Sequence, residues 1–190
     1  MRERLLDATF ACLVDRGYRA TALPEICRRA GVSRGAQLHH YATKESLVAA
    51  AVEHVLTRRL AELGEHLAHA PQGVLDLPQA TAFLWRVYTG PAFYAWMELL
   101  VAARTDADLR RLVAKVDARF VARAERLCQQ FLLPYVTDAG EVAATTRLIL
   151  AIFDGLATHR ILTGDDDTVA KSALAVAARA GLFAPKDRIA

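Results

Sequence analysis

Apolar residues recur at three- and four-residue spacing along almost the whole chain, and no run alternates Val, Ile, Thr and aromatics with polar residues as a half-buried strand would. That pattern dictates an all-α fold. Ala and Leu, both strong helix formers, fill the segments between breaks at Pro71–Gly73, Pro78, Gly90–Pro91, Thr105–Asp106, Pro134–Gly140 and Gly164–Asp167. With 190 residues, 54% of them hydrophobic, the chain can bury a sizeable core. No apolar run approaches the roughly 20 residues of a membrane-spanning helix, because Glu98 interrupts Phe93–Val101 and Asp154 ends Leu148–Phe153; no membrane partner is expected. The short apolar stretch Ala8–Val14, bracketed by Glu3, Asp7 and Asp15, is a poor secretory signal, which leaves the cytosol as the expected compartment. Cys12, Cys27 and Cys128 have no metal spacing and sit in apolar patterns, as reduced core thiols do. No cofactor or metal is expected.

The first sixty residues hold the local detail. Leu6, Phe10, Leu13 and Val14 form one face of a first helix that stops at Gly17. A second helix follows Thr21, read as its N-cap, with Pro24 tolerated in the first turn, and it ends near Ala30 and Gly31. Ser33 can cap a third helix from Arg34 to about Tyr41, and Thr43 a fourth that starts at Lys44 and runs past Leu60. Charge is concentrated here: residues 1–60 carry ten Lys or Arg against six Asp or Glu, whereas the remainder carries fourteen against fifteen. Within Arg16–Lys44, Arg16, Arg19, Arg28, Arg29, Arg34 and Lys44 face Glu25 alone, an excess suited to a polyanion such as DNA. Two short capped helices joined by Gly31, Val32 and Ser33 follow helix-turn-helix grammar, with Val32 plugging the angle, Ile26 and Ala30 facing it, and Arg28 and Arg29 outside.

The order of Gly17, Tyr18, Thr21, Ile26, Ala30, Gly31, Val32, Ser33, Gly35, His39, His40, Tyr41, Lys44, Glu45 and Leu47 resembles the N-terminal domain of the TetR family of bacterial transcriptional regulators, over roughly residues 2–50. The all-helical remainder resembles that family in architecture alone. The resemblance implies a helix-turn-helix DNA-binding domain over 1–48 and a helical effector-binding and dimerisation domain over 49–190. This chain departs from the family where Ala36, Gln37 and Leu38 replace a frequent Thr-Leu-Tyr and where Tyr41 replaces Phe. The loss of Tyr at 38 removes one common phosphate contact. Gln37 takes a position often apolar and inward-facing in the family, so either the third helix is slightly rotated or Gln37 reaches a base edge itself, and whether it reads bases or packs inward stays open.

The expected partner is a double-stranded DNA operator read by the third helix in the major groove. Arg34 suits a bidentate contact to guanine; Gly35 and Ala36 permit close approach; His39, His40 and Tyr41 stand where groove and phosphate contacts are made. Lys44, in a helix's first turn, can grip a phosphate. Thr21 and Ser33 are caps first and phosphate contacts second. Arg34→Ala is expected to relax base preference, and Lys44→Ala to weaken all DNA alike.

Residues 77–132 carry most of the aromatic content. The resemblance implies a small-molecule effector cavity here, with Trp85, Tyr88, Phe93, Trp96, Met97, Leu100, Arg104 and Phe120 as candidate lining; plain core packing, and for Arg104 a salt bridge to Glu98 or a surface position, are the alternatives. Two apolar helices over Glu141–Ile161 and Thr168–Phe183 present Leu148, Ile152, Leu156 and His159 on one stripe and Val169, Ala173, Val176 and Ala180 on the other. The resemblance implies that this pair meets its copy in a homodimer, hence a pseudo-palindromic operator, with repression relieved by ligand. Two rival readings stand beside it. Glu62, Glu65, His66 and His69 at helical spacing point weakly to a metal-dependent enzyme, and the Gln37 and Leu38 departures to a helical dimerisation protein that has lost DNA binding.

Overall fold

The computed structural model describes residues 1–68, 77–132, 139–164 and 168–179, and all the regular structure among them is helical. The helices are α1 (Arg2–Ala20), α2 (Leu23–Ala30), α3 (Arg34–His40), α4 (Lys44–Ala68), α5 (Leu77–Tyr88), α6 (Pro91–Ala103), α7 (Ala107–Leu132), α8 (Ala139–Thr163) and α9 (Thr168–Arg179). None of them is long and apolar enough to cross a membrane. Several breaks read from the sequence fall where helices begin: Pro91 opens α6, and the Asp106 carboxylate accepts the Asp108 and Leu109 N–H groups at 3.0 and 2.9 Å to cap α7. Pro78 is a difference, since it lies in the first turn of α5, where a missing N–H costs nothing.

The chain divides into two compact units, Met1–Arg59 with Gly90–Phe120, and Leu60–Thr89 with Val121–Ala190. These packing units do not coincide with the segments 1–48 and 49–190. The first unit holds two apolar clusters. In one, Leu5, Leu6, Cys12, Ile26, Ala30, Leu47 and Ala51 join α1, α2 and α4, with Val32 and Tyr41 packed against the edge. In the other, Leu13, Val48 and Val52 meet Ala95, Leu99, Leu109 and Val113, so that α6 and the start of α7 pack against α1 and α4. Trp96 and Phe120, expected in the effector cavity, pack against this second cluster.

In the second unit α5 packs on α8, and the Tyr88 and Phe153 rings lie 5.3 Å apart. Val142, Phe153 and Ala157 are buried, as is Thr146, whose hydroxyl donates to the Val142 carbonyl at 2.8 Å. A Cβ on Gly64 would come within 3.1 Å of Leu127 Cδ1, so the glycine lets the end of α4 approach α7 closely. His66, weighed as a metal ligand, stacks on Phe83 with ring centres 5.4 Å apart, while His69 lies outside the described residues. The cysteines are free thiols; burial pushes Cys12 and Cys128 above the usual range, away from the reactive thiolate.

Candidate nucleic-acid interface

The turn between α2 and α3 is built from backbone bonds that only a few residues permit. Gly31 adopts φ +63°, its N–H bonds the Arg28 carbonyl, and the Val32 N–H bonds the Cys27 carbonyl, which together close the last turn of α2. Arg4 of α1 donates Nη2 to the Ala30 carbonyl at 2.6 Å, setting a cation at the negative end of α2. Ser33 then caps α3, its Oγ accepting the Ala36 N–H at 3.1 Å. Thr43 and Ser46 cap α4 reciprocally, each side-chain oxygen accepting the other residue's N–H, at 3.1 and 3.3 Å.

Thr21 is a correction. Its hydroxyl donates to the Gly17 carbonyl at 2.7 Å and closes the end of α1, while Ala22 occupies the N-cap of α2 without a side-chain bond. Buried in this role, the Thr21 side chain cannot also meet a phosphate. Gln37 is the second correction, and it resolves the open alternative. The side chain is fully buried, the only residue of α3 that is, and Nε2 donates to the Tyr41 carbonyl at 2.5 Å. It therefore ties the last turn of α3 to the chain entering α4 instead of reaching a base. Its Oε1 has no partner among the described residues.

Tyr18 is a junction that the sequence did not reveal. Gly17 takes φ 71°, ψ 173°, a region essentially reserved for glycine, and breaks α1 there. The Tyr18 N–H, freed by that break, donates to Glu98 Oε2 at 3.0 Å, and the Tyr18 carbonyl accepts from Lys44 Nζ at 2.7 Å. The Lys44 ammonium also lies 4.4 Å above the centre of the Tyr18 ring. Half-burial pulls the Lys44 pKa down against the pull of Glu45, and burial followed by the charge of Glu45 pushes the Tyr18 phenol up to about 12. Lys44 thus holds the end of α1 against α4. Glu98, weighed as a partner for Arg104, instead joins α6 to this junction.

Ion pairs redistribute the charge counted along the sequence. Glu25 accepts Arg28 through two bonds, at 2.9 and 2.7 Å, and has Arg16 at 3.4 Å and Arg29 at 3.9 Å. Arg29 also reaches Asp15 at 2.6 Å. The Arg28 hydrogen bonds, with the nearby guanidinium charges, hold the Glu25 carboxyl below the usual range. Three of the six basic residues in Arg16–Lys44 are therefore matched by carboxylates, and Arg2 donates to the Tyr41 hydroxyl at 3.0 Å. Arg19 and Arg34 have no such partner among the described residues. Arg34 stands exposed in the first turn of α3, where the helix dipole disfavours a cation, so folding alone gives no reason for it. Gly35, Leu38, His39 and His40 are exposed with it, and Ala36 is half-buried.

The residues expected at the effector cavity divide between the two units. Trp85 and Tyr88 are buried in the second, whereas Phe93 is buried, and Trp96, Met97 and Phe120 are half-buried, in the first. Leu100 and Arg104 face solvent, which does not fit the lining of an enclosed cavity. On α8, Leu148 and His159 are exposed but Ile152 and Leu156 are half-buried, so the outward stripe is rotated from the expected one and runs through Ala144, Leu148, Ala151, Gly155, His159 and Leu162. On α9 Val176 is exposed; the side chains of Val169 and Ala173, and Ala180 altogether, lie outside what the structure describes.

A Schellman-closed helix followed by a Ser-capped second helix whose exposed face carries the uncommitted Arg34 defines a helix-turn-helix of the DNA-binding kind. Comparison with known proteins agrees. Residues 5–51 match the model of bacterial regulatory proteins of the tetR family, and residues 89–181 match that of the BetI-type transcriptional repressor C-terminal region. An HTH-type transcriptional regulator of Mycobacterium tuberculosis is 31% identical over 83% of this chain and 80% of its own length. The HTH-type transcriptional regulator BetI of Pseudomonas aeruginosa is 30% identical over 86% of this chain and 83% of its own. The fold is shared with a TetR-family regulator from Rhodococcus sp. (TM-score 0.72, 21% identity, 95% and 97% of the two chains) and with a Saccharomonospora viridis regulator solved in complex with choline (TM-score 0.60, 16% identity, 87% and 86%). The chain belongs to the tetR family of transcriptional regulators.

Proposed function

We propose that the protein is a cytosolic, ligand-relieved repressor that binds a pseudo-palindromic operator as a homodimer, with residues 1–48 facing DNA and residues 49–190 serving effector binding and dimerisation. The observation that carries the DNA reading is the uncommitted Arg34 on the exposed face of a helix fixed at both ends. Arg34 donates to guanine O6 and N7 in the major groove. Gly35 and Ala36 allow the helix close to the base edges, and His39 and His40 supply further donors. Ser33, Tyr41 and Lys44 line the phosphate side, while Thr21 and Gln37 contribute by holding the backbone. Gln37 therefore lends no support to a protein that has lost DNA binding, since its burial gives the departure a structural role.

The repressor reading is supported by the description of the C-terminal family. The dimer reading is supported by the outward stripe of α8, where Leu148 and Leu162 are 44% and 84% exposed and a Cβ at Gly155 would meet nothing within 4 Å. An effector of organic-cation chemistry parallels the choline held by the Saccharomonospora viridis regulator, with Trp85 and Tyr88 of the second unit as the aromatic side chains to meet it. Such a ligand relieves repression to the extent that it binds the non-DNA conformation more tightly.

The test is a titration of the purified protein with the DNA flanking its own coding region and with a scrambled duplex, at two salt concentrations. Saturable binding to the first that weakens as salt rises is expected. Equal weak binding to both duplexes would overturn the proposal.

A further inference from the structure

The third helix carries its side chains in an inverted arrangement. Its one fully buried residue is an amide with an unpartnered oxygen, Gln37, while the neighbouring Leu38 is 48% exposed. Folding favours the opposite order, because an orphaned buried acceptor costs free energy and a buried leucine gains it. Leu38 lies four residues after Arg34 and three after Gly35, so on a helix it stands on the outward face beside the uncommitted guanidinium and next to the glycine that leaves that face flat. An apolar side chain flanked by Arg34 and His39 meets one apolar feature in the polar major groove, the C5-methyl group of thymine.

Resting on the DNA reading above, we infer that Leu38 is a specificity-determining residue that selects thymine through its C5-methyl group. The same charge that draws the helix to phosphates brings Leu38 to the base edges, and Gln37, tied to the Tyr41 carbonyl, cannot take its place.

Binding sequences are selected from a random duplex pool with the full chain, and each thymine of the selected site is then replaced singly by deoxyuridine, which removes only the methyl. Wild type is expected to lose about fourfold in affinity at one thymine per half-site, the factor that burying one methyl is worth. Leu38→Ala loses a similar factor on the thymine duplex and nothing more on the deoxyuridine one, whereas Leu38→Met stays sensitive. The inference is overturned if every replacement is silent for wild type, or if Leu38→Ala responds to deoxyuridine as wild type does. Failure to enrich any sequence is a different result: it removes the DNA reading itself, and this role with it. A wild-type scan silent at every thymine overturns the inference even where Leu38→Ala fails to fold, and Leu38→Ser, which removes the apolar side chain at the same exposed position, then assigns or denies the sensitivity to Leu38.

Discussion

The outward faces of α3 and α8 differ in what makes them interpretable. Around the exposed face of α3 the polar groups are already engaged: Ser33 accepts at the start, Gln37 donates at the end, and Arg16, Arg28 and Arg29 of α1 and α2 are matched by carboxylates, which leaves Arg34 conspicuous. On α8 the outward stripe through Ala144, Leu148, Ala151, Gly155 and Leu162 is small or apolar, with His159 its one polar side chain. A reading face shows itself by the polar group that stays unpaired, and an association face by apolar surface that stays uncovered.

The sharpest break in that comparison comes from α8. Leu148→Asp should give a monomer in sedimentation velocity and lower operator affinity by about a hundredfold or more, since two linked half-sites would no longer be engaged together. An unchanged sedimentation coefficient would move the interface elsewhere. On α3, Arg34→Ala should cost about 1–3 kcal/mol on the matched duplex and little on a scrambled one. Lys44→Ala should weaken both alike and also lower the unfolding midpoint, because the Tyr18 carbonyl loses its donor. Equal loss on both duplexes for both variants would refute this division of labour.

Smaller effects test the scaffold behind α3. Gly17→Ala forces a side chain into a glycine-only conformation, with its Cβ 3.0 Å from Glu98 Oε2, and should destabilise by about 1–3 kcal/mol in urea. Glu98→Gln, which keeps an acceptor for the Tyr18 N–H, should cost less than Glu98→Ala. The smallest effect concerns acid. The Glu25 carboxyl is held below its ordinary value, so its contribution is present above the unfolded pKa of about 4.3 and is lost as pH falls through the folded value. Urea midpoints measured as pH falls from 6 to 3 should drop more steeply for wild type than for Glu25→Gln.

The sequence made the helix-turn-helix legible because its signals are local. Ser33, Thr43 and Gly31 act on amides and carbonyls within a few residues. Thr21 departs from the N-cap expectation because a threonine hydroxyl can accept from the helix ahead or donate to the one behind, and only the placement of Gly17 decides which. The Glu98 junction was beyond reach: its partner lies 80 residues away, and an isolated glutamate on α6 carries no signal. Charge counting overstated the basic face, since the pairing of Arg16 with Glu25 and of Arg29 with Asp15 depends on tertiary placement. On α8, apolar residues lie all round the helix, so a 3.6-residue period fits two adjacent stripes equally well, and the expected one passed through the half-buried Ile152 and Leu156.

The central claim is that Arg34 reads guanine from the major groove. Methylation interference tests it most directly, because methylating guanine N7 blocks the acceptor that Arg34 would use. The account predicts that one methylated guanine per half-site abolishes binding of wild type and has no further effect on Arg34→Ala; interference that persists unchanged in Arg34→Ala, or none at any guanine, would contradict it.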